Sequence, residues 1–158
     1  MTRVLHVPRR FATDEWGGTE SVVYNLCKQQ RELGLTPEIH TSRALSPLPR
    51  EVWRDIPIRR YRYCYPFLGL SREDIRALDK KGGNLLSLDL FFHLLAARDV
   101  RISHAHSLRP LGGAVLTAAR LRKKPFVATL HGNIFDVPAE EAASVVEAQT
   151  GKTFNDVA

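Results

Sequence analysis

Three short segments carry the residues best suited to chemistry. The first is the pair Gly17-Gly18, followed by Thr19-Glu20 at the head of an amphipathic run. The second is Ser103-His104-Ala105-His106-Ser107 and the third His131-Gly132-Asn133, each closing an apolar stretch. Glycine lets a backbone come close to a ligand because no Cβ intervenes. A helix start adds unpaired N–H groups and the positive end of its dipole, a combination that receives anions such as phosphates. Arg9 and Arg10, between the first apolar run and the glycine pair, place fixed positive charge beside it. Histidine supplies a donor, an acceptor or a proton near neutral pH.

Each feature also has a plainer reading. By itself, Gly17-Gly18 is an ordinary glycine-containing turn between a strand and a helix. His104 and His106 share one face of their strand, and His104 reads equally well as a satisfied histidine beneath a helix. His93, on an apolar helix, reads as a packing or capping residue. A metal site can be drawn from His104, His106, His131 and Asp136. It lacks a helical His-Glu-x-x-His or paired-cysteine signature, so no metal is expected. The run Arg59-Arg60-Tyr61-Arg62-Tyr63-Cys64-Tyr65 alternates basic and aromatic residues, a pattern suited to single-stranded nucleic acid. With no RNP-like or helix-turn-helix pattern behind it, a solvated edge strand with charged gatekeepers is the expectation, and no nucleic-acid partner.

The elements that must position these residues alternate strand and helix. Strands are expected over 4–8, 38–41, 58–65, 100–106 and 126–131. Helices are expected over 19–33, with Thr19 as N-cap and Gly34 as stop, over 71–80 from a Ser71-Arg72-Glu73-Asp74 capping box, and over 85–97 capped by Asn84. Two more cover 112–121 and 139–150. The 85–97 helix is apolar almost all round and should be buried against the sheet. Residues 42–57 read as a proline-rich loop. This alternation implies an α/β, Rossmann-like, doubly wound and mostly parallel sheet with helices on both faces, in strand order 3-2-1-4-5. Ligands of such sheets bind beyond the carboxyl ends of the strands, where the strand order reverses. All three chemical segments converge on that edge.

Composition sets the bounds. At 158 residues, 44% hydrophobic and 25% charged, the chain has the size and balance of one globular domain. Cys27 and Cys64 make no disulfide framework, and no signal-peptide core or membrane span is evident, which fits a cytoplasmic protein. An excess of 23 Lys+Arg over 17 Asp+Glu gives +6 and points to anionic partners. Arg43, Arg50, Arg54, Arg59, Arg60, Arg62, Arg72 and Arg76 concentrate that charge in the middle of the chain. They suggest an anionic acceptor or peripheral contact with an acidic membrane; a solvated basic face is the alternative.

Taken together, Arg3-Val4-Leu5-His6-Val7, Gly17-Gly18-Thr19-Glu20 with Leu26 and Leu33-Gly34, Ser103 to Ser107, and Pro125 to Gly132 resemble the N-terminal half of a GT-B glycosyltransferase. The resemblance is to the family 4 retaining enzymes, and it covers roughly residues 3–34 and 100–132. It implies the acceptor-side half of an enzyme that moves a sugar from a nucleotide-sugar donor to a glycan or lipid-linked acceptor, in cell-surface glycan or glycolipid synthesis, at the inner face of the membrane. By the same resemblance Gly17 and Gly18 offer N–H groups to the donor, and His131 contacts the sugar near the reacting carbon as the catalytic residue. His106 and His104 line the cleft floor, Arg9, Gly132 and Asn133 help to bind substrate, and no metal or cofactor is needed.

The family's donor pocket lies in a second domain with an Arg/Lys pair and two glutamates separated by seven residues. No two glutamates here have that separation. Residues 1–150 are therefore expected to form the N-terminal domain, and 151–158 a poorly ordered tail toward a missing C-terminal domain, without which the chain is inactive. A non-catalytic sugar- or nucleotide-binding module and a sugar-nucleotide epimerase fragment are the rival readings. A dinucleotide-dependent oxidoreductase would need G-x-G-x-x-G directly after strand one and an acidic end to strand two. The chain has adjacent glycines and His40-Thr41 there.

Overall fold

The computed structural model describes residues 2–131. The expected helix 139–150 and the 151–158 tail lie outside the described residues. Six strands form one sheet: β1 (Arg3–Val7), β2 (Thr36–Ser42), β3 (Arg50–Trp53), β4 (Ile56–Tyr61), β5 (Val100–Ala105) and β6 (Phe126–Ala128). Four helices accompany them: α1 (Gly18–Glu32), α2 (Arg72–Lys81), α3 (Leu88–Ala96) and α4 (Pro110–Leu121). The order is β3-β4-β2-β1-β5-β6, with every pairing parallel except β3 with β4. The expected order 3-2-1-4-5 is thus present as β4-β2-β1-β5-β6. The chain reverses its direction of winding at β1/β5, as the alternation required.

One strand was not expected. β3 pairs antiparallel with β4 through a two-residue turn, Arg54-Asp55, both of whose residues have positive φ (47° and 64°). Such a turn normally signals itself by Asn-Gly or Gly-Gly; here neither central residue is glycine, so the hairpin reads as loop. β3 is therefore the edge, and β4 is an interior strand rather than a solvated one. β4 also stops at Tyr61, four residues short of the expected end, and Cys64 instead makes an isolated bridge with Leu86.

The helix ends follow local rules. Gly34 adopts φ 77°, its N–H reaching Arg31 O and that of Leu35 reaching Gln30 O, which closes α1 as a Schellman motif. Ser71 and Asp74 form the expected reciprocal capping box on α2. α3 begins later than expected: Ser87, not Asn84, is its N-cap, with Oγ accepting from Leu90 N. Nor is α3 buried all round. Leu90 and Leu94 enter the core beside α4, while Leu88 and Phe92 remain exposed. In α4, Gly112 sits so close to the preceding loop that a Cβ there would lie 1.7 Å from Ser107 O. The small residues of that helix let it press against the end of β5. One core cluster joins Leu5, Leu90, Leu111 and Val115 on one sheet face; the other joins Phe11, Val23, Cys27, Ile39 and Ile58 on the opposite face. Among the described residues no helix is long and apolar enough to cross a membrane.

Candidate functional site

At the carboxyl end of β1 and β5 lies a cavity of about 290 Å³. Arg9 and Arg10 reach it from the end of β1, Gly17 to Glu20 from the start of α1, His106 and Ser107 from the end of β5, and His131 from the segment after β6. Gly82 and Arg109 close another side. Five of the expected site residues, Arg9, Gly17, Gly18, His106 and His131, are brought together here. His104 is buried close by but does not line the cavity: its Nε2 lies 2.7 Å from Thr129 Oγ1 and its ring stacks on His106. Gly132, Asn133 and Asp136 lie outside the described residues.

The N-terminus of α1 is left open toward this space. Gly17 is the N-cap, and no side chain caps the first turn. Thr19, expected as the cap, lies within that turn instead. Glu20 is fully buried, its Oε1 3.6 Å from Arg10 Nε. A Cβ on Gly17 would sit 3.0 Å from Glu20 Oε2, a tight contact that the carboxylate would have to ease by a few tenths of an ångström. Uncapped N–H groups at a helix start form an anion seat.

Arg9 is fixed from behind. Its Nη2 donates to the main-chain carbonyl of Asp79. The Asp79 carboxylate in turn accepts from Tyr63 OH (2.6 Å) and Tyr65 OH (2.8 Å). Nη1 of Arg9 is buried without a hydrogen-bond partner. Burial lowers the pKa of Arg9, yet a guanidinium stays charged in proteins. A half-buried cation with one buried, unpartnered nitrogen at a cavity wall favours an anionic ligand.

The histidines form a line that the sequence reading had found only in part. His6 Nδ1 lies 3.0 Å from His106 Nε2, and His106 Nδ1 lies 2.9 Å from His131 Nε2. At the far end His6 Nε2 lies 2.8 Å from Gln30 Oε1. Burial, followed by neighbouring His104, His6 and His131, pushes His106 down to about 2. Burial takes His104 down to about 4 and lowers His6 and His131 as well. These rings are neutral hydrogen-bonding groups at physiological pH, not cations.

In the sequence His6 reads only as a strand residue. The signal was available once the strands were paired, because β1 and β5 run in register with His6 opposite His104. Ring nitrogens of His6, His104 and His106 lie within 4.8 Å of one another. Both nitrogens of His6 and His106 are already hydrogen-bonded, so a cation there would have to displace those bonds.

A second cavity of about 470 Å³ opens between β4 and α3. Arg43, Arg50, Arg59, Arg60 and Arg62 line it, with Asp89, Phe92 and His93. Arg60 is not a surface cation as expected: it is buried, donating to Phe11 O and to Glu51 Oε2. Arg62 is paired with Asp89 at 2.8 Å. Arg54, Arg72 and Arg76 do not line this cavity. Arg54 lies over the Trp53 ring on the outer edge.

A mostly parallel sheet with helices on both faces and a cavity at its reversal point defines a Rossmann-like α/β domain. The family model described as Glycosyltransferase Family 4 matches residues 16–153. The chain belongs to that family. No curated protein matches it.

Proposed function

We propose that this domain is the acceptor-side half of a retaining glycosyltransferase of GT-B architecture. It would use a nucleotide-sugar donor whose diphosphate docks over the start of α1. In the transfer, the bond from the anomeric carbon to the diphosphate oxygen breaks with its electron pair on the diphosphate. The acceptor hydroxyl oxygen forms the new bond, and its proton passes to the departing diphosphate. Charge therefore grows on phosphate oxygens, where preorganised donors stabilise it most. The observation that carries this reading is the uncapped α1 N-terminus facing the half-satisfied guanidinium of Arg9.

The arginine-lined cavity supports an acceptor that carries an anionic group, or a acidic membrane surface that presents it. Arg43, Arg50 and Arg59 have no ion-pair partner among the described residues. A second domain carrying the donor's nucleotide, and a cytoplasmic, membrane-peripheral location, belong to the same proposal. The experiment is a donor screen: the complete gene product is offered UDP-, GDP- and ADP-sugars and release of the nucleoside diphosphate is followed. Release that requires both an acceptor and Arg9 supports the reading. Binding of sugar nucleotides with no transfer under any condition would favour a binding module instead.

A further inference from the structure

From the flank of α1 to the cavity runs an unbroken line of side-chain hydrogen bonds: Gln30, His6, His106, His131. Each of its three contacts, at 2.8, 3.0 and 2.9 Å, has room for a single proton. A neutral imidazole donates from one nitrogen and accepts at the other. The choice made at one end is therefore copied from ring to ring, since one mismatched ring would set two N–H groups, or two lone pairs, face to face in a contact that is buried at the centre of the line and part-buried at its ends. The line has two self-consistent states, one with the amide oxygen of Gln30 toward His6 and one with its NH2 group there, and the face the amide presents selects between them.

In this structure the amide oxygen of Gln30 faces His6. His6 then donates from Nε2 and accepts at Nδ1. His106 donates from Nε2 to His6 and accepts at Nδ1, and His131 donates from Nε2 to His106. The Nδ1 of His131 is left without a proton. It is also the one nitrogen of that ring not engaged by another described residue, and the ring lines the cavity. Burial keeps all three rings neutral, which the relay requires.

We propose that Gln30 is a positioning residue that sets the tautomer of His131 through His6 and His106, so that the cavity presents a bare Nδ1 to a ligand hydroxyl. A bare nitrogen accepts from O–H and repels a phosphate oxygen. The two ligand chemistries are thereby separated within one cavity: phosphate oxygens to the α1 N-terminus and Arg9, a sugar hydroxyl to His131. The sugar assignment rests on the function proposed above; the relay itself does not. Gln30 is half-buried and lies in the last turn of α1, where substitution is tolerable and where nothing in its position suggested a link to the site.

The test reads protons directly. The chain is labelled with ring-¹⁵N histidine, and long-range ¹H–¹⁵N correlations at pH 8 identify which nitrogen of each ring carries hydrogen. The wild type and Gln30→Glu, whose carboxylate only accepts, should both show His131 protonated at Nε2. Gln30→Lys, which only donates, should move that proton to Nδ1. Should the lysine variant fail to fold, Gln30→Met removes the anchor and should give His131 as a mixture of both tautomers. A His131 tautomer identical in all these variants, or an Nδ1-protonated His131 in the wild type, overturns the relay. In the complete gene product, a switched tautomer should lower kcat/KM for transfer at least tenfold. A switched tautomer with unaltered transfer would leave the relay standing and overturn the sugar contact alone.

Discussion

Arg60 donates to the main-chain carbonyl of Phe11 from both Nε (3.2 Å) and Nη2 (2.9 Å), and so ties an interior strand to the loop that carries the glycine pair. Its Nη2 also reaches Glu51 Oε2 at 2.8 Å, which anchors the edge strand β3. The guanidinium is fully buried. Arg60→Met should destabilise the domain by about 3–5 kcal/mol, because a buried carbonyl and the Glu51 carboxylate are left without their partner. Urea unfolding checks this; a midpoint close to wild type would show that the tether is dispensable.

The two glycines of α4 should respond in opposite directions. Gly112→Ala places a Cβ 1.7 Å from Ser107 O, and backbone rather than a flexible side chain must move. A loss of at least about 1–3 kcal/mol follows, together with displacement of Ser107 from the cavity wall. At Gly113 nothing lies within 4 Å, and the position is exposed. Gly113→Ala should gain about 0.5–1 kcal/mol from helix propensity. Equal effects from the two substitutions, measured by thermal unfolding, would contradict the packing described for α4.

Acid should weaken the fold. The chain has six histidines, and all six have pKa values lowered in the folded state. Burial is the leading cause in each. His40 shows how such a ring is satisfied without charge: Nδ1 accepts from Tyr61 OH at 2.8 Å, and Nε2 donates to Glu38 at 3.2 Å. Glu38, bonded by His40 and by Arg3, is drawn down to about 2. Below a pH of about 6.5, unfolded histidines take up protons that the folded ones refuse. The contribution of Glu38, complete above about 4.5, is lost toward pH 2. Both effects have the same sign but different windows: the urea midpoint should fall from about pH 6.5 to pH 5 through the histidines alone, and Glu38 should deepen the loss only below about pH 4.5. A midpoint that is flat or rises in that window would contradict neutral buried rings.

The arginine-lined cavity predicts salt-sensitive binding to anionic surfaces. Co-sedimentation with phosphatidylglycerol vesicles should fall between 50 and 300 mM salt, since exposed charges are screened beyond about 10 Å at 0.1 M. Arg43→Gln with Arg59→Gln should reduce it about 30-fold, on the basis of about 1 kcal/mol for each basic residue at such a surface. Equal binding to neutral and anionic vesicles, or none at all, would mean that these arginines form a solvated face.

Much of this architecture was legible in the chain. The strand-helix alternation gave the sheet and its reversal point, while Gly34 and the Ser71–Asp74 capping box marked the end of α1 and the start of α2. The β3 hairpin was hidden because Arg54 and Asp55 occupy left-handed conformations without glycine. The burial of Arg60 was hidden because a charge in a basic run reads as solvated until its carbonyl and carboxylate partners are seen. His6 and Gln30 escaped notice for a different reason. Their roles arise from strand register and from packing between α1 and β1, and neither leaves a local pattern.

The central claim is that the cavity at β1/β5 is the sugar-transfer site and that His131 contacts the substrate within it. The measurement that bears on it most directly is steady-state transfer by the complete gene product, wild type against His131→Ala, with the donor found by the screen. Loss of a group that meets the reacting sugar should lower kcat by about 100-fold or more, while the melting temperature changes little, because His131 lies outside β6 and is only half-buried. An unchanged kcat in a folded His131→Ala variant would contradict the account.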